Sequence, residues 1–275
     1  MSASPFAANG RSEVSRTLAY EVAHAPAAVK RAARALAWQG SEFLVGIADV
    51  ESLVATLATV SDLDGVVRIG SVRQPRLELL RALYNSDARV MVERVALLPT
   101  PWAWRRIGDG AVTGIAIRSR AYWDIHEFVA RRGLACRLLP DAATSDELIS
   151  AGLEVGSAVA DVDEAIEGDS LVDPAELSAV VCCGLLKRAV HPEADYFWLA
   201  LTAQLERPGV LSVALSALAE IGVNLDFLHS DDLGDQRHAF YLGFRGGIDD
   251  LRHILAALTG LGFDSRLLAG FVEPE

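Results

Sequence analysis

Apolar residues recur along this chain at two spacings, every three or four residues in some segments and every second residue in others. The segment 25–38 shows the first spacing and predicts a helix with Val29, Ala32 and Leu36 on one face. The apolar run EFLVGIAD after it predicts a buried strand. Helical and strand patterns then alternate to about residue 190, which is typical of an α/β domain with mostly parallel strands in two lobes.

The alternation is regular enough to place most elements. Further helices are predicted at 50–63, 73–87 and 121–133, further strands at 65–71, 88–99, 110–119 and 134–140, and the alternation continues through 145–153, 156–165 and 176–186.

The segment 196–275 follows a different order, which predicts a split β-α-β unit. Strand patterns lie at 196–206, 223–231, 236–246 and 263–271, with helical patterns at 209–222 and 248–262. Phe240, Leu242 and Phe244 fall on one face of the third strand. Because so small a unit has little apolar surface of its own to cover that face, we expect a homodimer or tetramer held by this unit.

Composition excludes several classes of function. A net charge of −12 over 275 residues argues against nucleic-acid binding, although a few arginines in one cleft suffice for a small anion. No segment reaches the roughly 20 apolar residues of a membrane span, and the first fifteen residues resemble a flexible tail rather than a signal peptide. Cys136, Cys182 and Cys183 are predicted to be buried thiols in a cytoplasmic protein. No histidine spacing or phosphate-binding motif predicts a metal or a cofactor.

Two glycine turns in the last segment carry a family resemblance. Arg-Pro-Gly-Val-Leu at 207–211 precedes its first helix, and Gly-Val-Asn-Leu at 222–225 follows it. Together they resemble an ACT domain, a regulatory module that binds amino acids at subunit interfaces. The resemblance implies an effector site whose residues are Gly209, Val210, Leu211, Asn224 and Ser230. The alternative is a ferredoxin-like unit without a ligand, since the topology alone is common.

The preceding segments resemble the prephenate dehydratases in the order of that family. DLDGVVRIGS is similar to the stretch in which Gly-Val-Val-Pro-Ile-Glu-Asn-Ser precedes a helix, and IRSRAYWDIHEF is similar to its Ser-His-Pro-Gln helix. The resemblance implies a tail at 1–15, a two-lobed periplasmic-binding-protein-like domain at 16–195 and an ACT domain at 196–275. It also implies conversion of prephenate to phenylpyruvate, with loss of water and carbon dioxide, and control by phenylalanine.

Departures from the family motifs change the expected chemistry. Tyr196, Phe197 and Trp198 stand where the family has Thr-Arg-Phe, so the motif hydroxyl and guanidinium are absent. Serines remain in two matched motifs, at Ser71 and Ser119. We therefore expect little or no dehydration of prephenate. The candidate catalytic groups are the hydroxyls of Ser71, Ser119, Thr144 and Tyr196, and the candidate carboxylate-binding groups are Arg68, Arg73, Arg118 and Arg120.

Two hypotheses follow. The first is a divergent lyase acting on prephenate or a related cyclohexadienyl acid, with Tyr196 as a proton donor and decarboxylation without aromatisation as one outcome. The second is a catalytically inactive homologue whose ACT domain senses an amino acid or binds a partner. Arginines beside Ser71 and Ser119 favour the first hypothesis, and the loss of the motif charges favours the second. Among the arginines, Arg120 is the best candidate for a carboxylate, because it opens a predicted helix.

Overall fold

The computed structural model describes residues 16–22, 26–40, 43–100, 102–177, 179–234 and 237–274. The predicted tail at 1–15 lies outside this part of the chain. The strands are β1 (Thr17–Glu21), β2 (Leu44–Ile47), β3 (Leu63–Gly70), β4 (Met91–Thr100), β5 (Trp102–Arg106), β6 (Gly114–Arg118), β7 (Ala135–Leu139), β8 (Ser157–Asp161), β9 (Ala179–Lys187), β10 (Tyr196–Ala203), β11 (Leu225–Gly234), β12 (Arg237–Arg245) and β13 (Phe263–Phe271). The helices are α1 (Pro26–Ala35), α2 (Val50–Thr59), α3 (Leu77–Asn85), α4 (Ser119–Arg132), α5 (Ser145–Val155), α6 (Val210–Glu220) and α7 (Ile248–Gly260), with a 3-10 turn at Pro174–Leu177.

The chain divides into two compact units. In the described part, the first unit contains residues 16–21, 31–40, 43–96, 182–234 and 237–274, and the second contains residues 22, 26–30, 97–100, 102–177 and 179–181. The chain leaves the first unit within β4 and returns within β9. The predicted boundary at residue 196 falls at the start of β10, inside the first unit, and it stays a prediction.

The first unit is built on a nine-stranded sheet with the order β11-β12-β10-β13-β4-β9-β3-β1-β2. At one end, β1 lies between β2 and β3 and is parallel to both. Helix α2 begins after Asp49, whose side chain accepts a hydrogen bond from the backbone of Ser52 and caps the first turn. The prediction of a buried strand at 42–49 is wrong in one respect: β2 is an edge strand, and Val45 is exposed.

The other end of this sheet has the predicted split β-α-β order. Strands β10 to β13 pair antiparallel, with α6 and α7 inserted after β10 and β12, which is a ferredoxin-like arrangement. Strand β10 is buried along its whole length. Its side chains alternate between two cores: Tyr196 and Trp198 belong to one with α2 and α3, whereas Phe197 and Leu199 belong to the other with α6 and α7.

The apolar face of β12 has a different role from the one expected. Phe240, Leu242 and Phe244 are buried, and they pack in one core with Leu251 and Ile254 of α7. Because helices of the same chain cover this face, it gives no reason to expect an oligomer. The oligomer stays a prediction without this support.

The second unit is a four-stranded sheet with the order β5-β8-β6-β7, in which β6 is parallel to both β7 and β8. Helix α4 ends at Gly133 in the left-handed conformation, and α5 begins with a capping box formed by Thr144 and Glu147. Since β6, β7 and β8 are parallel, their carboxyl ends meet at one edge, where α4 and α5 also begin.

Two of the three cysteines match the prediction of buried thiols. Cys182 and Cys183 are buried in β9, whereas Cys136 is exposed on β7, where the prediction is wrong. None of the helices in the described residues has the length and apolarity needed to cross a bilayer.

Candidate functional site

Ser71 lies in a tight turn directly after β3. Gly70 has φ of 87°, and a side chain there would meet the carbonyl oxygen of Gln74 at 2.7 Å, so this position requires glycine. The Ser71 hydroxyl accepts a hydrogen bond of 2.9 Å from the backbone of Gln74, and the Ser71 N–H donates one of 3.1 Å to the Gln74 carbonyl. The exposed hydroxyl of Ser71 therefore stabilises its own turn.

Two arginines around this turn, Arg73 and Arg76, hold carboxylates of the chain itself. Arg76 donates hydrogen bonds of 2.9 and 3.2 Å to the buried carboxylate of Glu21, and one of 3.3 Å to the carbonyl of Arg68. Arg73 is more exposed, and its guanidinium lies 3.7 Å from the carboxylate of Glu273. Neither Arg73 nor Arg76 is a cation without a counterion.

Tyr196 begins β10 with a fully buried side chain. Its ring stacks on Phe271 at 5.5 Å, and its hydroxyl has no hydrogen-bond partner among the described residues. The carboxylate of Asp226 lies beside it without reaching hydrogen-bond geometry. Burial first, and then this carboxylate, raise the pKa of Tyr196 above its usual value, so the hydroxyl keeps its proton at neutral pH.

Trp198 joins β10 to the turn that follows β3. Its indole N–H donates a hydrogen bond of 3.2 Å to the carbonyl of Val72, and both residues are buried. The three positions that replace the family's Thr-Arg-Phe, Tyr196 to Trp198, are thus filled by buried aromatic side chains.

The carboxyl edge of the second unit is centred on Arg118. Its guanidinium donates hydrogen bonds of 2.8 and 2.7 Å to the two carboxylate oxygens of Glu164 and one of 2.9 Å to the carbonyl of Ala143. Ser145 donates to the same carboxylate at 2.5 Å. Burial raises the pKa of Glu164, but the hydrogen bonds from Arg118 and Ser145 and the positive charges of Arg118 and Arg120 together lower it by more, so the pKa lies below its usual value.

The other predicted residues at this edge also have partners within the unit. The hydroxyl of Ser119 donates 3.1 Å to the carbonyl of Leu139, and the backbone N–H of Arg120 donates 2.6 Å to the carboxylate of Asp141. Thr144 accepts from the backbone of Glu147 as the cap of α5. The first turns of α4 and α5, which would attract an anion, therefore already face carboxylates of the chain.

The structure divides the predicted site residues between the two units. Ser71, Arg68, Arg73 and Tyr196 lie in the first unit, whereas Ser119, Thr144, Arg118 and Arg120 lie in the second and share one edge of its sheet.

The sequence analysis missed the acidic partners Glu21, Glu164 and Glu273. A signal exists for Glu164, because it lies shortly after the end of β8, Arg118 is the last residue of β6, and the carboxyl ends of these parallel neighbours meet.

Of the predicted effector residues, Gly209, Val210 and Leu211 lie at the start of α6, whereas Asn224 lies between the end of α6 and β11, and Ser230 lies within β11. Gly209 caps this helix in the left-handed conformation, with φ of 82° and no atom within 4 Å of where a side chain would begin. Val210 and Leu211 turn inward against the core with α7. Asn224 and Ser230 are exposed, and neither side chain makes a hydrogen bond within the described part of the chain.

Asp231, the residue after Ser230 on β11, connects this strand to α3. Its buried carboxylate accepts hydrogen bonds of 2.7 and 2.6 Å from Arg81 and one of 3.4 Å from the hydroxyl of Tyr241. The hydrogen bonds from Arg81 outweigh burial and lower the pKa of Asp231. Asp231 stands where the ACT domains of the resembled family have an arginine. Its ion pair with Arg81 on α3 therefore distinguishes this chain from the family pattern.

Comparison with known proteins gives the fold. No family model matches the chain, and no curated protein matches it either. Solved structures do match. The prephenate dehydratase of Staphylococcus aureus subsp. aureus Mu50 superposes with a TM-score of 0.67 at 15% identity, covering 93% of this chain and 99% of that one.

Two further structures match to a similar extent. The prephenate dehydratase of Arthrobacter aurescens, solved in complex with L-Phe, has a TM-score of 0.69 at 17% identity and covers 93% of this chain and 90% of its own. GqqA, described as a novel type of quorum-quenching acylase, has a TM-score of 0.66 at 16% identity, with coverages of 94% and 98%. The chain therefore has the prephenate dehydratase fold, as the sequence resemblance implied, and these identities show the fold alone.

Proposed function

We propose that this chain uses the prephenate dehydratase fold as an amino-acid-binding regulatory protein and that it does not dehydrate prephenate. One observation carries the proposal: three of the arginines near the matched serines hold carboxylates of the chain itself. Arg73 contacts Glu273, Arg76 binds Glu21, and Arg118 binds Glu164. A dianionic substrate would have to displace these partners and leave carboxylates buried without their counterions, which is costly.

The effector region supports the binding half of the proposal. The first turn of α6 has backbone N–H groups without intrahelical acceptors, and Gly209 brings no side chain to cap them. A ligand carboxylate accepts hydrogen bonds at such a helix start. The exposed Ser230 on β11 offers an acceptor for an ammonium group. The related structure with bound L-Phe adds that a protein of this fold binds an amino acid.

A thermal-unfolding screen against the common α-amino acids and prephenate tests this proposal. We expect at least one amino acid to raise the Tm, since a ligand at about 100 times its Kd adds about 2.7 kcal/mol to folding stability. Prephenate alone should not raise it.

Gly209→Ala identifies the site, because the added side chain projects into the open space at the start of α6. It should weaken amino-acid binding at least tenfold. Gly133→Ala is the matched control, since Gly133 is also left-handed with open space around it but belongs to the second unit. Equal losses in both variants, or no response to any amino acid, would refute the proposal.

A second candidate function is a lyase for prephenate or a related cyclohexadienyl acid. The observation that favours it is the buried, protonated hydroxyl of Tyr196, which has no hydrogen-bond partner in the described residues. In this reaction the ring carboxylate leaves as carbon dioxide, and the ring takes a proton from Tyr196, which water then restores. Mass spectrometry of prephenate incubated with the protein and with Tyr196→Phe decides it. Loss of carbon dioxide by the protein but not by the variant supports the lyase, and no loss with either excludes it.

A further inference from the structure

A groove lies on the second unit beside the last turn of α4. It has a volume of about 400 Å³ and is lined by Phe128, Arg131 and Arg132 of the helix and by Glu176 of the 3-10 turn. Pockets that bind small molecules have volumes of about 300–1,000 Å³, so this groove is large enough for one. It lies at the opposite end of α4 from Ser119, and none of the predicted site residues lines it.

The aromatic wall of this groove is fixed by contacts within the unit. Phe128 packs edge-to-face against Trp104, with 6.0 Å between the ring centroids. The indole N–H of Trp104 donates a hydrogen bond of 2.9 Å to the hydroxyl of Ser157, which donates one of 2.6 Å to the carbonyl of Gly114. Both rings are buried. The position of the Phe128 ring is therefore set by the core of the unit, and the wall is formed before any ligand arrives.

Arg132 covers this wall. Its guanidinium lies 4.9 Å from the ring centroid of Phe128 and 5.8 Å from that of Trp104, and the attraction between a cation and a ring face holds it there. Its carboxylate partner, Glu176, is 3.7 Å away, and the two side chains are 45% and 56% exposed, so this ion pair is weak. The side of the guanidinium that is turned away from Phe128 is accessible to a second flat ring.

Arg131 supplies a second cation. Its Nε donates a hydrogen bond of 3.3 Å to the carbonyl of Glu127, which leaves the terminal nitrogens for another acceptor. The side chain is exposed and forms no ion pair within the described part of the chain. Arg118, in contrast, already holds the carboxylate of Glu164. Arg131 can therefore bind a carboxylate without displacing a partner.

The charges of the groove limit what can bind. Arg131 and Arg132 contribute two positive charges and Glu176 contributes one negative charge, so one positive charge is left over. A ligand with one carboxylate neutralises it. A second carboxylate would face Glu176 and be repelled.

We infer that this groove binds a small aromatic monocarboxylate. The carboxylate accepts hydrogen bonds from the guanidinium of Arg131. The ring of the ligand stacks on the guanidinium of Arg132, which then lies between two aromatic rings. The groove belongs to the second unit, whereas the proposed effector region at Gly209 belongs to the first, so neither site depends on the other.

Titration calorimetry with benzoate, benzamide and cyclohexanecarboxylate tests the inference. Benzamide has the ring without the charge, and cyclohexanecarboxylate has the charge without the flat ring. We expect benzoate to bind at least tenfold more tightly than benzamide and at least threefold more tightly than cyclohexanecarboxylate, because only benzoate both pairs with Arg131 and stacks on Arg132. Equal affinities for benzoate and benzamide, or no binding of benzoate, would overturn the inference.

Substitutions in the groove separate the two contacts. Arg131→Gln should weaken benzoate binding at least tenfold. Arg137→Gln is the matched control, because Arg137 is also an exposed arginine of the second unit but lies outside the groove, and it should leave the affinity unchanged. Arg132→Lys keeps the charge but removes the flat guanidinium, so it should abolish the preference for benzoate over cyclohexanecarboxylate.

Glu176→Gln should strengthen benzoate binding at least threefold, because Arg132 loses its competing carboxylate. Equal benzoate affinity in Arg131→Gln and Arg137→Gln would show that the groove is not the site and would refute the inference. Gly209→Ala should not change benzoate binding. A loss of benzoate binding in that variant would place the ligand in the effector region instead, which also contradicts the inference.

Discussion

The guanidinium of Arg81 on α3 donates two hydrogen bonds to the carboxylate of Asp231 on β11, 150 positions later in the chain. This ion pair ties the strand that carries Ser230 to the helix that follows the Ser71 turn. The ring of Tyr84, also on α3, packs edge-to-face against Tyr241, and its hydroxyl is 2.8 Å from that of Thr202. A ligand that moves β11 would therefore act directly on α3.

The first prediction concerns the pH dependence of the Arg81–Asp231 pair. Arg81 lowers the pKa of Asp231 in the folded state. The ion pair therefore stabilises the fold fully at pH values above the unfolded-state pKa of about 3.9. This stabilisation is lost as the pH falls through the lower folded-state pKa. Asp231→Asn should lower the Tm by about 2–4 °C between pH 5 and 8, and the difference should close below about pH 4. Thermal unfolding across this range measures it. Asp249→Asn, at an exposed carboxylate, should show no such pH-dependent difference.

The second prediction compares two arginines of the second unit. Arg118 is 12% exposed and bonded to Glu164, whereas Arg137 is 59% exposed and lies 3.7 Å from Glu154. Removing one partner of a buried pair leaves the other uncompensated, so Arg118→Ala should cost about 3–5 kcal/mol of folding stability. Arg137→Ala should cost less than about 1 kcal/mol. Urea unfolding of both variants checks this, and similar costs would show that the Arg118 pair is no more than a surface contact.

The third prediction concerns packing between β11 and β12. A side chain at Gly243 would begin 2.1 Å from the ring of Phe227, which belongs to the core with α2 and α3. Gly243→Ala should therefore destabilise the protein by about 1–3 kcal/mol, since the ring has to move.

Gly260→Ala is the control, because it adds a methyl group at the end of α7 with no atom within 4 Å. It should be neutral or stabilising by up to about 1 kcal/mol. A Gly243→Ala variant as stable as this control would contradict the packing of Phe227. Denaturant unfolding of the two variants gives the comparison.

Local patterns were sufficient for most of the fold. Helical and alternating spacings record which face of an element is apolar, and glycine turns such as Gly222 and Gly133 mark where helices end. The segment of β5 gave no prediction, because five residues rich in tryptophan show no clear period. Burial was harder to predict, because it depends on neighbours from elsewhere in the chain. β2 has an apolar sequence but lies at an edge, and Phe240 is covered by α7.

The site was less predictable than the fold for the same reason. A motif match places Ser71 and Arg118 at the ends of strands, but it cannot show what their side chains bind. Their partners are a backbone amide three residues away and a carboxylate 46 residues away. The sequence identified the arginines as anion-binding groups, and the chain itself supplies the anions. Long-range contacts of this kind leave no periodic signal.

The central claim is that the chain has the prephenate dehydratase fold without the dehydratase reaction. Its most direct test is a single-turnover experiment, in which prephenate is mixed with an excess of the protein and phenylpyruvate is followed against a protein-free sample. Because Arg76 and Arg118 are bound to Glu21 and Glu164, and because buried aromatic residues fill the Thr-Arg-Phe positions, we predict no phenylpyruvate above the protein-free rate. Formation of phenylpyruvate at about 1 s⁻¹ or faster, an ordinary enzymatic rate, would contradict the account.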